Sequence, residues 1–479
     1  MSARYDLAVI GAGPAGMEAA LIASQAGVRT VVIDSAPQAG GQYYKPLPEG
    51  FTAARKTAAE RDGERLLGRL DAAPLEKVFG ALVWGIFKEE SGDGWVIALS
   101  GAGVPGQISA RCLVLATGAY DTPVAFPGWT LPGVISCGAA LTLLKNQRIA
   151  PFRRVLVSGS GPLLLSAAAH LIDAGVKVVA VCEVNPIHLG AVGYAPVMLR
   201  EMGRLREGAE YFGRLVRGKT PYRMGWSVIE ACGADHVEEA VIAKVGTDGT
   251  PQLASKQTVI VDTVICGYGL TPFTSPAQSI GCKMEYHSEK GGWIPWRDQR
   301  MQSSISGVYI VGDCAGIGGA ENARLEGQVA GTAVAVETGR LQPPEAENFY
   351  RHVTPKLAQQ RSFGQLLADF FALPPNLISL ARADTIVCRC EEITLLEVMK
   401  AVEAGARTVG EVKMITRTGM GNCQGRMCER SVAGAIVKAL EPNAISAADV
   451  GRYTPRPPLH PLPLGSFLEA EPKPPKQTS

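Results

Sequence analysis

The sequence predicts a mixed α/β chain: two parallel-sheet units followed by a small α-rich domain. Three observations predict it. Residues 5–34 run from an apolar strand (Leu7-Ala8-Val9-Ile10) through a glycine-rich turn and a helix (Ala15 to Ala26) into a second apolar strand (Thr30-Val31-Val32-Ile33). Continuous apolar runs of this kind belong to parallel strands covered by helices on both faces. The order returns at Val155-Leu156-Val157, a helix from about Pro162, and Val178-Val179-Ala180-Val181, which makes two βαβ units. Finally, the last four of eleven cysteines fall as two close pairs, Cys388/Cys390 and Cys423/Cys428. Clustered cysteines in a chain of this size point to a metal centre, whereas the seven scattered ones read as small core side chains.

With 479 residues the chain has room for about three domains of roughly 150 residues each. Lys+Arg 47 against Asp+Glu 45 leaves a formal net charge of +2, which offers no basic surface for a nucleic acid. The N-terminus lacks a basic region followed by an apolar one, so no signal peptide is expected. The uncharged stretch Val155 to Ile172 contains Ser158-Gly159-Ser160-Gly161-Pro162 and reads as strand, turn and helix rather than a transmembrane segment. A cytoplasmic protein is expected, with peripheral attachment at the inner face of a membrane left open.

The expected order is a first dinucleotide-binding part over 1–150, an inserted second unit over 151–270, and a return to the first over 271–340. A polar, basic segment between Asn185 and Tyr222 looks helical, and Val228 to Gly267 looks β-rich. A helical connector covers 341–383, the cysteine domain 384–442, and a Pro-rich tail 443–479.

The chemistry begins at Gly11-Ala12-Gly13-Pro14-Ala15-Gly16, between a strand and a helix. Gly11 permits the turn, Gly13 lets backbone approach a pyrophosphate, and Gly16 lets helix and strand pack closely; the helix N-terminus faces the phosphate charge. Asp34 ends the next strand, where an acid would hold a ribose hydroxyl. Two further segments make the cofactor FAD rather than NAD. Leu113 to Leu115 is an apolar strand leading to Ala116-Thr117-Gly118, and Val308 to Val311 leads to Gly312-Asp313 and the glycine-rich 316–319. Asp313 would bind ribityl hydroxyls. This set in this order resembles the two-dinucleotide-domain flavoproteins of the glutathione- and thioredoxin-reductase-like superfamily. The resemblance covers about residues 5–335 and implies two Rossmann-like dinucleotide-binding domains.

The second turn, Gly159-Ser160-Gly161-Pro162-Leu163-Leu164, has Leu164 where a third glycine would stand, and Glu183 ends the next strand. It is either a nucleotide site, for NAD, ATP or FMN, or a structural relic.

In the C-terminal domain Cys388-Arg389-Cys390 is followed, after a long interval, by Cys423-Gln424-Gly425-Arg426-Met427-Cys428. Four thiolates suit a 2Fe–2S cluster; a structural zinc and unpaired core cysteines are the alternatives. Thr394 can cap the intervening helix, Gly419, Gly421 and Gly425 let the loop wrap the cluster, and Arg389, Arg417 and Arg426 can offset its charge. The spacing is similar to the bacterioferritin-associated-ferredoxin-like 2Fe–2S module, with four residues rather than two inside the second pair.

The whole chain, including Gly40-Gly41-Gln42-Tyr43 with Gly41 and Gln42 at the cofactor, resembles the α subunits of heteromeric dye-linked amino-acid and opine dehydrogenases. The resemblance implies a second, substrate-oxidising flavoprotein subunit, room for a small third subunit, and a carrier or quinone as electron acceptor. No catalytic base is legible, since the six histidines form no constellation. Disulfide reduction is not expected either, because Cys137 stands alone where thioredoxin reductases place a cysteine pair. A self-sufficient NAD(P)H-dependent reductase and a non-catalytic electron-transfer scaffold remain the rival readings.

Overall fold

The computed structural model describes residues 4–48, 50–51, 57–90, 92–186, 197–198, 201–440 and 445–465. The first unit grows around β1 (Arg4–Ile10), α1 (Pro14–Gln25) and β2 (Thr30–Asp34). Helix α2 (Ala58–Ala72) begins in a Thr57/Glu60 capping box. It leads to β3 (Glu76–Phe79), β4 (Leu82–Lys88), β5 (Trp95–Ser100) and the long β6 (Gln107–Leu115). Strand β1 lies parallel between β2 and β6, pairing Ile10 with both Ile33 and Leu115. Leu7, Ala8, Val9, Val31 and Val32 have no exposed surface, as expected of strands covered on both faces.

From β7 (Ala119–Asp121) the chain crosses into the second unit. Its sheet already includes β8 (Val134–Ser136), with α3 (Cys137–Leu141) following. Then come β9 (Arg154–Ser160), α4 (Pro162–Asp173) and β10 (Lys177–Glu183). Residues 187–196 and 199–200 of the basic segment expected to be helical lie outside the described residues. Its described remainder contains α5 (Met202–Arg217) and leads to β11 (Tyr222–Met224). An antiparallel layer of β12 (Trp226–Cys232), β13 (Glu239–Lys244) and β14 (Gln257–Ile260) precedes β15 (Thr263–Tyr268). The parallel order is β11-β10-β9-β15-β8. The crossover therefore falls before residue 134 and not at 150, because Val134 to Ser136 pair with Val264 to Cys266.

Strand β16 (Leu270–Pro272) pairs antiparallel with β7, so outgoing and returning chains cross side by side. After α6 (Ser275–Ser279) and the hairpin of β17 (Met284–His287) and β18 (Gly292–Pro295), β19 (Val308–Ile310) joins β6 in the first sheet. Helix α7 (Gly319–Glu337) packs on α1, and α8 (Pro343–Phe370) is the connector.

The C-terminal domain holds β20 (Ile386–Cys388), β21 (Ile393–Thr394), α9 (Leu395–Glu403), α10 (Val409–Thr416) and α11 (Glu429–Ala439). Thr394 caps α9, its hydroxyl accepting from the Glu397 amide while Glu397 returns to the Thr394 amide. The Pro-rich tail to residue 465 lies back on the molecule; its expected continuation to 479 lies outside the described residues. The core of this domain is continuous with that of the antiparallel layer in the second unit, joining Val387, Val398 and Ile436 to Val228, Ala240 and Ile242. No helix among the described residues is long and apolar enough to cross a membrane.

Candidate functional site

Strand register brings the first glycine turn, Asp34, Thr117-Gly118 and Gly312-Asp313 to one edge, at the carboxyl ends of β1, β2, β6 and β19. Open α/β sheets bind ligands at such an edge. Gly11 has φ +106° and its amide donates to Ile33 O at 2.8 Å; a Cβ there would stand 2.3 Å from Ala116 O. A Cβ on Gly16 would stand 1.9 Å from Gly11 O, so only glycine lets α1 sit this close to its turn. Pro14 opens α1 and Ala15 follows; Gly13 caps the helix without any side-chain hydrogen bond, which leaves its first amides available to an anion. Gly41 lies against Gly13, and Gln42 follows on the surface of the same loop.

Asp34 is half-buried and accepts from the Ala12 amide at 2.6 Å and the Ala36 amide at 2.8 Å. Thr117 Oγ1 donates to Phe273 O at 2.8 Å, closing one wall. Asp313 Oδ1 accepts from the Gly318 and Gly319 amides at 3.1 and 3.2 Å. Burial pushes its carboxyl above the usual range, although those amides pull the other way. Asn322, in the first turn of α7, is buried with an Oδ1 that has no hydrogen-bond partner. A cradle that any Cβ would fill, an uncapped helix start and an orphaned buried amide oxygen together fit a dinucleotide such as FAD.

The second turn repeats the first in its acid and its uncapped helix start, and differs in what packs beside it. Glu183 has no exposed surface. One oxygen accepts from the Gly161 amide at 2.9 Å; the other accepts from the Asn185 amide at 3.0 Å and its Nδ2 at 3.1 Å. Ser160 Oγ donates to Phe371 O at 3.0 Å, and the Phe371 Cβ stands 4.0 Å from where a Cβ on Gly161 would be. The end of connector α8 therefore packs beside the Gly161 turn. Gly159 keeps a packing role, since a Cβ there would stand 2.0 Å from Gly267 O. Asn185 and Phe371 were not legible as parts of this site; Asn185 carried a weak signal, two residues beyond the acid.

The four C-terminal cysteines come together as two contacts. Cys388 and Cys428 are buried and hydrogen-bonded to each other; the exposed Cys390 meets the half-buried Cys423. The Cys388 thiol is pulled down to about 6, first by Cys428 and then, against burial, by the Gly419, Glu391 and Cys390 amides. The Cys428 thiol is correspondingly raised, by Cys388 and by burial. Among the described residues no three His, Cys, Asp or Glu side chains are arranged around a single-ion site. A mononuclear zinc needs four ligands about one point. Two thiol pairs suit a two-iron cluster, whose irons each need ligands of their own.

Gly419 (φ +76°) and Gly425 (φ +86°) press on the ring of Tyr453. Its hydroxyl lies 3.8 Å from Cys428 Sγ. Tyr453 comes from the tail and had no sequence signal. Of the three arginines expected to offset cluster charge, Arg417 is paired with Glu391 at 3.0 Å and Arg389 reaches Thr130 O at 3.4 Å. Arg426 stays at the cysteine loop. His170 is a packed residue: burial and the neighbouring Lys145 charge hold it down to about 4, and its ring meets Tyr211 edge-on. Cys314 is 2% exposed and donates to Leu115 O and Val311 O.

Comparison with known proteins gives two family matches: pyridine nucleotide-disulphide oxidoreductase over residues 5–203 and 223–339, and the BFD-like [2Fe-2S] binding domain over 386–438. The A subunit of opine oxidase from Agrobacterium tumefaciens (strain Ach5) is 32% identical, the match covering 97% of this chain and 91% of the relative. The HcnB subunit of hydrogen cyanide synthase from Pseudomonas aeruginosa is 31% identical, over 96% of this chain and 97% of its own. The crystal structure of L-proline dehydrogenase from P. horikoshii superposes with a TM-score of 0.69 at 20% identity, covering 97% of this chain and 80% of that one. That likeness supports the fold, and the two family matches support FAD in the first unit and a 2Fe–2S cluster on the cysteine domain.

Proposed function

This chain belongs to the pyridine nucleotide-disulphide oxidoreductase family, in the group that includes the opine oxidase A subunit, and from that premise we propose that it is the FAD- and 2Fe–2S-bearing subunit of a heteromeric dye-linked amino-acid or opine dehydrogenase. Its relatives are themselves named as subunits. Bound FAD would supply two-electron storage, and the cluster one-electron steps. The 11–16 turn and the start of α1 bind the pyrophosphate, Asp34 the adenine ribose and Asp313 the ribityl chain. Gly41, Gln42, Thr117, Gly118 and Gly312 line the cradle. Cys388 and Cys428 hold one iron, Cys390 and Cys423 the other.

The observation that carries this reading is the gathering of four cysteines into two contacts in a chain whose first turn forms a cradle that fits FAD. Glu183 accepts from the Gly161 and Asn185 amides as Asp34 does from those of Ala12 and Ala36, and it is the packing of Phe371 beside Gly161 that favours a second turn taking no NAD(P)H. The chain also has no Cys-x-x-Cys pair. In this reading, which the naming of the relatives as subunits supports, electrons arrive from an organic substrate oxidised at a second flavoprotein subunit and leave to a carrier or quinone.

The test is an anaerobic optical titration of the purified chain after flavin and iron have been quantified. FAD and two irons per chain, with no bleaching by NADH, are expected. Fast bleaching by NADH would replace this reading with the self-sufficient reductase; absent flavin would leave an electron-transfer scaffold.

A further inference from the structure

The FAD cradle and the cysteine loop meet at one contact that neither motif predicts. Phe273 follows β16, and its backbone is bonded on both sides to the cradle wall. Its amide donates to Gly118 O at 2.9 Å, and its carbonyl accepts from Thr117 Oγ1 at 2.8 Å. The other side of the residue faces the cysteine loop: the Arg426 guanidinium lies over the Phe273 ring at 4.5 Å from its centroid. Arg426 Nη1 donates to the carbonyl of Cys423 at 3.3 Å, and Nη2 to that of Leu459 at 3.0 Å. His460 Nδ1 is 3.4 Å from Nη2, and the His460 ring packs edge-on against Phe273. A continuous run of contacts thus leads from the Thr117-Gly118 turn to a cluster ligand.

We propose that Phe273 and Arg426 couple the flavin cradle to the cysteine loop, Phe273 fixing their separation and Arg426 setting the electron affinity of the cluster. The inference rests on the function proposed above and goes beyond it by assigning two positioning residues. Among the described residues Arg426 makes no ion pair, its hydrogen bonds running to carbonyls and to His460. Its charge is therefore not neutralised by a carboxylate, whereas Arg417 is tied to Glu391. Half-buried cations act strongly where the local dielectric is low, and net charge near the sulfurs sets the potential of an iron–sulfur cluster.

The electron count is simple. With both groups bound, the flavin held at Thr117 and Gly118 would supply two electrons, passed singly to the cluster held at the cysteine loop, with its protons released to solvent. A one-electron carrier or a quinone re-oxidises the cluster each time.

The test uses the full chain with its native flavin and iron, by spectroelectrochemical titration and by flash photoreduction of the flavin. Arg426→Gln should keep the wild-type iron content and the spectrum of the reduced cluster. The cluster's affinity for an electron should fall about tenfold, a shift of about 59 mV for a one-electron couple. Arg426→Lys, which keeps the charge, should recover most of that shift. Phe273→Leu should leave the potential in place while electron transfer from flavin to cluster slows about tenfold.

An unchanged potential in a fully loaded Arg426→Gln chain overturns the role of Arg426, as does an Arg426→Lys potential that falls equally far. An unchanged transfer rate in Phe273→Leu, which leaves the cysteine loop intact, overturns the coupling even if Arg426→Gln loses iron. A wild-type chain without flavin or iron defeats the parent function, and this inference with it.

Discussion

Glu326 is a carboxylate in the interior of the flavin unit, 1% exposed. Arg297 donates to both of its oxygens, at 2.6 and 2.8 Å, the Gly312 amide adds a third bond at 2.9 Å, and Arg361 a fourth at 3.3 Å. Burial pushes its carboxyl up, but the Arg297 charge and these bonds outweigh burial and hold it below the usual range. A depressed carboxyl contributes stability that is fully present above its unfolded value of about 4.3 and is lost as pH falls through the folded one. Glu326→Gln leaves Arg297 without its counter-charge, and breaking a buried pair from one side costs about 3–5 kcal/mol. Denaturant unfolding followed by flavin absorbance should show that loss at neutral pH and a shrinking difference from wild type as pH falls below about 4. A constant difference across that range would mean that Glu326 is not the titrating group. Asp34 and Asp313 were legible because strand ends in this fold call for acids there. Glu326, in mid-helix, follows no such pattern, although it fixes the backbone of Gly312 one residue before Asp313.

At the scale of elements, the pairing of α1 with α7 decides whether the cradle keeps its shape. A Cβ on Gly327 would stand 2.1 Å from Ala15 O, and one on Gly331 2.5 Å from Ala19 O. Two glycines one turn apart thus let α7 lie on the backbone of the helix that opens the phosphate turn. Gly327→Ala must push α7 away from Ala15, at a cost of about 1–3 kcal/mol as for other overpacked sites. Gly364→Ala is the control: it sits inside α8 with nothing within 4 Å of its Cβ position, and alanine there should stabilise by about 0.5–1 kcal/mol. Heating while flavin fluorescence is monitored should release FAD earlier from Gly327→Ala and no earlier from Gly364→Ala. Equal release would place the α1–α7 contact outside cofactor retention.

Both βαβ units were legible from their apolar runs and glycine turns. Strand β8 was not: it is three residues long, and its partner β15 lies more than a hundred residues later in the chain. The packing of Phe371 beside the second turn was equally hidden, because Phe371 comes from a helix end with no motif of its own.

On the scale of the whole molecule, the cysteine domain is not an appended module. Its buried Val387, Val398, Val432 and Ile436 share one core with Val228, Ile229, Ala240 and Ile242 of the second unit. Trp129 Nε1 donates to Ile386 O at 2.6 Å, and Arg382 makes a two-pronged pair with Glu230 at 2.6 and 2.9 Å. Each buried aliphatic side chain at such a seam contributes about 1.5–3 kcal/mol, so loosening one side of the core exposes the other. Domain boundaries drawn from sequence treat the two as separate, since composition cannot reveal a core shared by segments far apart in the chain. Cys428→Ser removes a thiol proposed to hold iron and itself part of this core. It should abolish iron binding and, by hydrogen exchange, reduce protection in the antiparallel layer over 226–260 as well as in 386–439. The flavin unit, whose α1–α7 core is a separate cluster, should keep its FAD and its protection at 4–34 and 308–337. If exchange rises only within 386–439, the shared core does not couple the two and the iron-binding domain folds independently. If FAD is lost as well, the coupling reaches further, through the Phe273–Arg426 contact.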